Sequence, residues 1–263
     1  MPEALEMTCA SGNQLAETSR CRVLESRAMG RFVLLRLQAP RIAACASPGQ
    51  FVMVDVPDGD FHLRRPVSLF SVHDERITLL IEVRGVGTAR LAQLAAGASV
   101  SLAGPLGSGF PLEGVTTALL IGGGIGCAPL QYLGDALVAR GVAVSAAFGV
   151  RDAQVAELLH AFDVPRLVVA SEDGSVGVRG TVIDALATMD VPAETVVYSC
   201  GPSGMIRAVR DWCAARHLEG YASLEAHMAC GTGACHGCVV ETARGRLRVC
   251  AEGPVFPLGE VLS

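Results

Sequence analysis

From residue 116 to residue 216, short apolar runs alternate with helix-length segments. This rhythm limits the fold more than any other feature of the chain. "TTALLIGG", "VAVSAAFGV", "RLVVAS" and "TVVYSC" are strand-length and end in small or polar residues. Between and after them lie 125–140, 153–161, 181–189 and 203–216, each long enough for a helix. Strand–helix alternation predicts a doubly wound parallel sheet, which takes its ligands beyond the C-terminal ends of its strands.

The first third has a different rhythm. "CRVLESRA", "RFVLLRLQ", "FVMVDV", "RITLLIEV" and "ASVSLAG" are short, rich in β-branched residues, and bounded by Pro or Gly. They predict an antiparallel β-barrel. One helix, "TARLAQLAA", follows Gly87, and "GPLGSGFPL" (104–112) reads as a loop between domains. The expected layout is multi-domain β plus α/β: an N-terminal tail (1–19), a barrel (20–111), an α/β domain (112–222) and a small C-terminal unit (223–263).

Hydrophobic residues make up 51% of the 263 and charged residues 18%, which suits a compact globular protein. A net charge of −5 argues against a nucleic-acid partner. No apolar run reaches the roughly 18 residues of a membrane span. The richest, 115–130, is broken by Gly122, Gly123, Gly124 and Gly126. The polar start of the chain does not read as a signal peptide, so a cytoplasmic protein is expected.

Ten cysteines divide into two groups. Cys9, Cys21, Cys45, Cys127, Cys200 and Cys213 are scattered and read as small core residues or reduced thiols. Cys230, Cys235, Cys238 and Cys250 form a cluster with the spacing C-x4-C-x2-C-x11-C. The C-x4-C-x2-C…C pattern is that of plant-type [2Fe–2S] sites. Gly231, Gly233 and Gly237 allow the tight turns needed to point three thiolates inward, and let backbone N–H groups approach sulfur. Structural zinc also takes four thiolates, though zinc ribbons favour paired C-x2-C knuckles. His236 lies inside the loop, and the full set of four cysteines favours a loop role for it over ligation.

Two strand exits carry nucleotide signals. "LLIGGGIGCAPL" leaves a strand and opens a helix, with Pro129 suited to the first turn. Gly122, Gly123, Gly124 and Gly126 would let a dinucleotide's pyrophosphate approach the backbone. A tight turn with no ligand is the plainer alternative. "YSCGPSGM" turns on Gly201 and Pro202 and sets Cys200 at a strand end, within reach of a nicotinamide or simply in the core. At "SEDGSVGVRG", Glu172 and Asp173 would repel a 2′-phosphate, favouring NADH over NADPH. In the barrel, Arg65 of "RRPVS" suits a cofactor phosphate and Ser68 a flavin nitrogen. "GVGTARL" offers a second helix start, with Thr88 as donor.

Taken in order, "RRPVSL", "GVGTARL", "GGGIGCAPL" and "CGPSGM" resemble the ferredoxin-reductase superfamily of flavoenzymes. "SLEAHMACGTGACHGCVV" and "VCAEGPVF" narrow the resemblance to the electron-transfer subunits of type B dihydroorotate dehydrogenase, over roughly residue 21 to the C-terminus. The resemblance implies FAD held by Arg65, Pro66, Val67, Ser68, Leu80, Ile81, Glu82, Gly87 and Thr88. It implies a [2Fe–2S] cluster on Cys230, Cys235, Cys238 and Cys250, and NAD(H) as co-substrate. Phe256 falls where an aromatic near the flavin is expected, or in ordinary core. The implied partner is an FMN-containing catalytic subunit, in a heterotetramer of two of each subunit serving pyrimidine (UMP) synthesis. Related subunits serving a hydrogenase, sulfite reductase or ferredoxin share the layout. Glu82 departs from the family, which has a basic or neutral residue near the pyrophosphate.

Overall fold

The computed structural model describes residues 18–57 and 61–262. Most of the expected N-terminal tail therefore lies outside the described residues, as does Cys9. Six strands close an antiparallel barrel: β1 (Thr18–Met29), β2 (Phe32–Gln38), β3 (Phe51–Val54), β4 (Arg65–His73), β5 (Arg76–Glu82) and β6 (Ser99–Leu106), in the order β1-β2-β5-β4-β3-β6. Helices α1 (Pro40–Cys45) and α2 (Val86–Ala92) connect them. Alternation along the strands fills the barrel with Val23, Leu35, Leu37, Val52, Leu69, Ile77 and Leu79, all at most 0% exposed. Two sequence expectations shift here. Strand β4 begins inside "RRPVS", and the first three residues of the expected 104–112 loop finish β6.

The second half is a sheet in the order β10-β9-β8-β7-β11-β12-β15. Its strands are β7 (Thr117–Gly123), β8 (Ala143–Val150), β9 (Leu167–Ser171), β10 (Val178–Arg179), β11 (Val196–Cys200), β12 (Gly220–Ser223) and β15 (Val255–Pro257). Every pair is parallel except β12–β15. The helices are α3 (Ala128–Ala139), α4 (Ala153–Ala156), α5 (Val182–Leu186) and α6 (Ser203–Arg216). The chain starts at β7, builds outward through β8, then returns to β7's other side with β11. The switch point therefore lies between the exits of β7 and β11. The first expected helix splits into a 3-10 turn, Gly124–Cys127, followed by α3 with Pro129 in its first turn.

A hairpin of β13 (Val239–Thr242) and β14 (Gly245–Arg248) precedes β15. The barrel and sheet are tied by partly buried polar contacts. Tyr198 donates its hydroxyl to the Pro111 carbonyl at 2.7 Å, and Tyr132 to that of Ala46 at 3.0 Å. Cys21, Cys127, Cys200 and Cys213 are buried free thiols, whereas Cys45 is disulfide-bonded, against the sequence expectation. No helix among the described residues is long and apolar enough to cross a membrane.

Candidate functional site

Two clefts open along the seam between barrel and sheet. The first has a volume of 240 Å³, and its barrel wall comprises Arg65, Pro66, Val67, Ser68, Leu80, Ile81, Glu82 and Thr88. Cys200, Ile125 and Pro129 face them from the sheet side. The pairing of β4 with β3 and with β5 brings these distant segments together. Eight of the expected flavin residues thus converge on one largely apolar cleft, which suits an aromatic ring system.

Gly87 does not line this cleft; it makes room for a residue that does. A Cβ on Gly87 would sit 2.6 Å from the Arg65 guanidinium, so the glycine lets Arg65 lie across the start of α2. Arg65 is braced by donating to the Leu63 carbonyl at 2.7 Å and by the Phe61 ring, 5.6 Å away. Thr88 fixes the same turn. Its hydroxyl accepts from the Arg84 and Gly85 amides at 3.0 and 3.2 Å, and donates to the Gly85 carbonyl at 3.0 Å. An arginine on a helix start, with ordered backbone N–H groups, fits a phosphate.

The second cleft, 500 Å³, lies over the sheet's switch point and is lined by Gly123, Gly124, Glu172, Thr181, Pro202 and Met205, among others. Gly124 adopts φ +53° with open space beside it. The other glycines act by packing. A Cβ on Gly126 would fall 2.6 Å from Gly201 Cα, so the two strand exits touch backbone to backbone. Gly122 makes the same allowance for Cys127, whose sulfur lies 2.6 Å from that glycine's Cβ position. Glu172 lines the cleft, whereas Asp173 turns away to accept from the amide and hydroxyl of Ser175 at 2.9 and 2.6 Å. Cys200 is buried at the floor of the first cleft, and burial raises its thiol well above the ordinary range.

Phe256 lines neither cleft. Its ring is 1% exposed, and a Cβ on Gly253 would be only 2.4 Å from it, so its surroundings are core.

The four clustered cysteines come together in the loop from 228 to 250. Cys238 and Cys250 lie 3.2 Å apart, sulfur to sulfur. Cys230 and Cys235 form the other pair, with the Cys235 amide donating to the Cys230 sulfur at 3.4 Å. Further amides point at sulfur: Thr232 to Cys230 and Gly237 to Cys235 at 3.4 Å each, and Gly233 to Cys250 at 3.1 Å. Burial pushes the Cys230 thiol up, but the Thr232 and Cys235 amides outweigh it and bring it down to about 6. Among the described residues no three metal-ligating side chains surround a single point. Burial and the Cys238 sulfur push the Cys250 thiol up to about 12. Two pairs of cysteine sulfurs, each approached by backbone N–H donors, match the two-plus-two donor set that a two-iron cluster takes. His236 is exposed and holds φ +56° in the turn between Cys235 and Cys238.

The loop runs directly out of the first cleft. Ser223, Leu224, Glu225, Ala226 and Met228 all line that cleft, and Cys230 follows two residues later. Sequence reasoning quoted "SLEAHM" without assigning it a wall of the site. It also missed Phe51, Arg31 and Arg84, which topology alone brings to the clefts.

A family model described as the iron-sulfur cluster binding domain of dihydroorotate dehydrogenase B matches residues 225–262. A "Dihydroorotate dehydrogenase B (NAD(+)), electron transfer subunit" from Shouchella clausii is 38% identical over 243 residues, covering 87% of this chain and 91% of that protein. One of the same name from Bacillus cereus is 39% identical over 240 residues, covering 87% and 92%. Among solved structures, an NADH-dependent reduced ferredoxin-NADP oxidoreductase, described in connection with flavin-based electron bifurcation, superposes with a TM-score of 0.80. It is 23% identical, covers 96% of this chain and 91% of its own, and supports the fold. With barrel, switch-point cleft and four-cysteine loop in one chain, and relatives aligned along nearly its whole length, the protein belongs to the family of dihydroorotate dehydrogenase B electron transfer subunits.

Proposed function

We propose that the chain carries electrons between NAD(H) and an FMN-containing partner subunit that oxidises dihydroorotate, in the synthesis of pyrimidines. The observation that carries this reading is the continuity between cleft and cluster loop. Met228 lines the flavin cleft and Cys230 is two residues on, so their Cα atoms lie at most about 7 Å apart. A bound flavin exchanges electron pairs as hydride with a nicotinamide and single electrons with an iron–sulfur cluster. The protein's residues supply the order of the parts. Arg65 and Thr88 would anchor the flavin's phosphate end, while Ser68, Ile81 and Cys200 would border its ring. Gly123 and Gly124 would seat the nicotinamide nucleotide against the exposed side of that ring. Glu172 on the far wall favours NADH over NADPH, because its charge opposes a 2′-phosphate.

Cys235 and its neighbours Thr232, Ala234, His236 and Gly237 are exposed, and would face the partner. The complete assembly would hold two copies of each subunit and work in the cytoplasm. The first experiment is an anaerobic visible spectrum before and after NADH, paired with the Cys235→Ser variant. Wild type should show flavin and iron–sulfur bands that both bleach. The variant should keep NADH-dependent flavin reduction and lose turnover coupled to the partner. Undiminished coupled turnover in the variant would refute the reading.

A further inference from the structure

Glu82 puts an acid where two anionic dinucleotides are expected to meet. Its side chain is only 8% exposed, and it is held on two sides by cations: Arg31 Nη2 and Arg84 Nε, each at 2.5 Å. Strand pairing dictates this. Phe32 is registered opposite Glu82, and the Val83 amide donates to the Arg31 carbonyl at 2.8 Å, so the β1–β2 turn lies against the end of β5. All three residues line the second cleft, on the wall contributed by the barrel, while Gly123 and Gly124 line it from the sheet. Arg84 and Glu82 also line the first.

The group carries one net positive charge. Each guanidinium has several N–H donors, and Glu82 engages only one edge of each. The Arg31 and Arg84 side chains remain 38% and 63% exposed. The cleft's other arginine, Arg151, is tied to its neighbour Asp152 at 2.9 Å. We infer that Arg31 and Arg84, bracketed by Glu82, form a cation clamp for the pyrophosphate of the nicotinamide dinucleotide. Glu82 is a positioning residue that fixes the two guanidiniums and does not itself touch the ligand. The clamp would make nucleotide binding a joint act of barrel and sheet. The inference rests on the second cleft being the nucleotide's seat.

The test is calorimetric titration of the FAD-loaded protein with ADP-ribose, which has the pyrophosphate but no nicotinamide and drives no reduction. Arg84→Ala and Arg31→Ala should each weaken binding about tenfold, the loss of one charge-assisted contact. FAD content should stay at the wild-type level, and Arg84→Lys should recover part of the affinity. Glu82→Ala separates positioning from simple charge. It removes a negative charge from an anion's cleft, so electrostatics alone would tighten binding, whereas loss of the bracket weakens it severalfold.

Unchanged affinity in both arginine variants, or tighter binding in Glu82→Ala, would overturn the clamp. Loss of FAD with ADP-ribose affinity intact would give Arg84 to the flavin and also overturn it. Gly124→Asp guards the underlying reading, since that position has open space and a backbone conformation that Asp tolerates. If Gly124→Asp abolishes binding while the arginine variants do not, only the clamp falls. If Gly124→Asp also binds normally, the nucleotide sits elsewhere and both fall.

Discussion

The amide of Gly233 donates to the sulfur of Cys250 at 3.1 Å, joining residues seventeen positions apart. The glycine's φ of +83° makes that contact possible, and a Cβ there would lie 3.0 Å from the Ala251 methyl. Gly233→Ala should cost about 1–2 kcal/mol of stability through backbone strain alone. A weakened N–H···S bond makes reduction of the cluster less favourable. Its potential should fall by about 40 mV, the one-electron equivalent of ~1 kcal/mol. Redox titration followed by paramagnetic resonance reads this. An unchanged potential with full iron content would mean that the amide has no influence on the cluster.

Gly87→Ala places a methyl against the Arg65 guanidinium, a flexible group that can move aside. Folding stability should barely change. FAD affinity should drop about tenfold, the value of one displaced charge-assisted contact. Combined with Arg65→Ala, the glycine change should add nothing, because both act on the same contact. Fluorescence titration of apoprotein with FAD gives all four corners of the cycle. Additive losses would show that Gly87 acts independently of Arg65.

Glu172 should set the preference between the two nicotinamide nucleotides. Glu172→Gln should raise kcat/KM for NADPH relative to NADH by about fivefold, the ~1 kcal/mol that two unit charges exchange at 4 Å in water. Steady-state reduction of a dye with each nucleotide measures the ratio. No change would place the 2′-position of the ribose away from this side chain.

Asp184 accepts from the Thr181 amide at 2.7 Å and the Thr181 hydroxyl at 2.8 Å, capping α5 beside the second cleft. Those bonds hold its carboxyl below the ordinary value of 3.8. A carboxylate depressed by folding adds stability above its unfolded pKa, and that stability is lost as pH falls through the folded one. The Tm gap between wild type and Asp184→Ala should therefore be constant from about pH 5 to 8 and close as the pH drops below 3.8. A gap that widens in acid would contradict the capping role.

Local signals made much of this architecture legible. Ser203–Arg216 was readable because Pro202 announces a helix start and an apolar stripe (Ile206, Val209, Trp212, Cys213) follows. The four principal parallel strands are apolar enough to be seen alone. Strand β4 was hidden because Arg64, Arg65 and Pro66 at its start look like a turn. Strands β12 and β15 are four and three residues long, and their pairing spans the whole cysteine loop, so no local pattern marks them. The flavin motifs were individually weak, and their convergence depends on barrel closure. The bracketing of Glu82 was invisible for a similar reason: nothing in "IEVRG" says that the acid at 82 would be buried between an arginine of the β1–β2 turn and one just past the end of β5.

Ser223 and Val255 are opposite each other in the β12–β15 pair, one where the chain leaves for the cysteines and the other where it returns. The intervening segment is thus pinned at both ends to one sheet edge, and Gly231 packs it down on Met53 of the barrel. Such an attachment works against the cysteine loop swinging as a shuttle. The distance an electron would tunnel from a bound flavin to the cluster would then be set within this one chain, and docking of a partner would govern only the next jump.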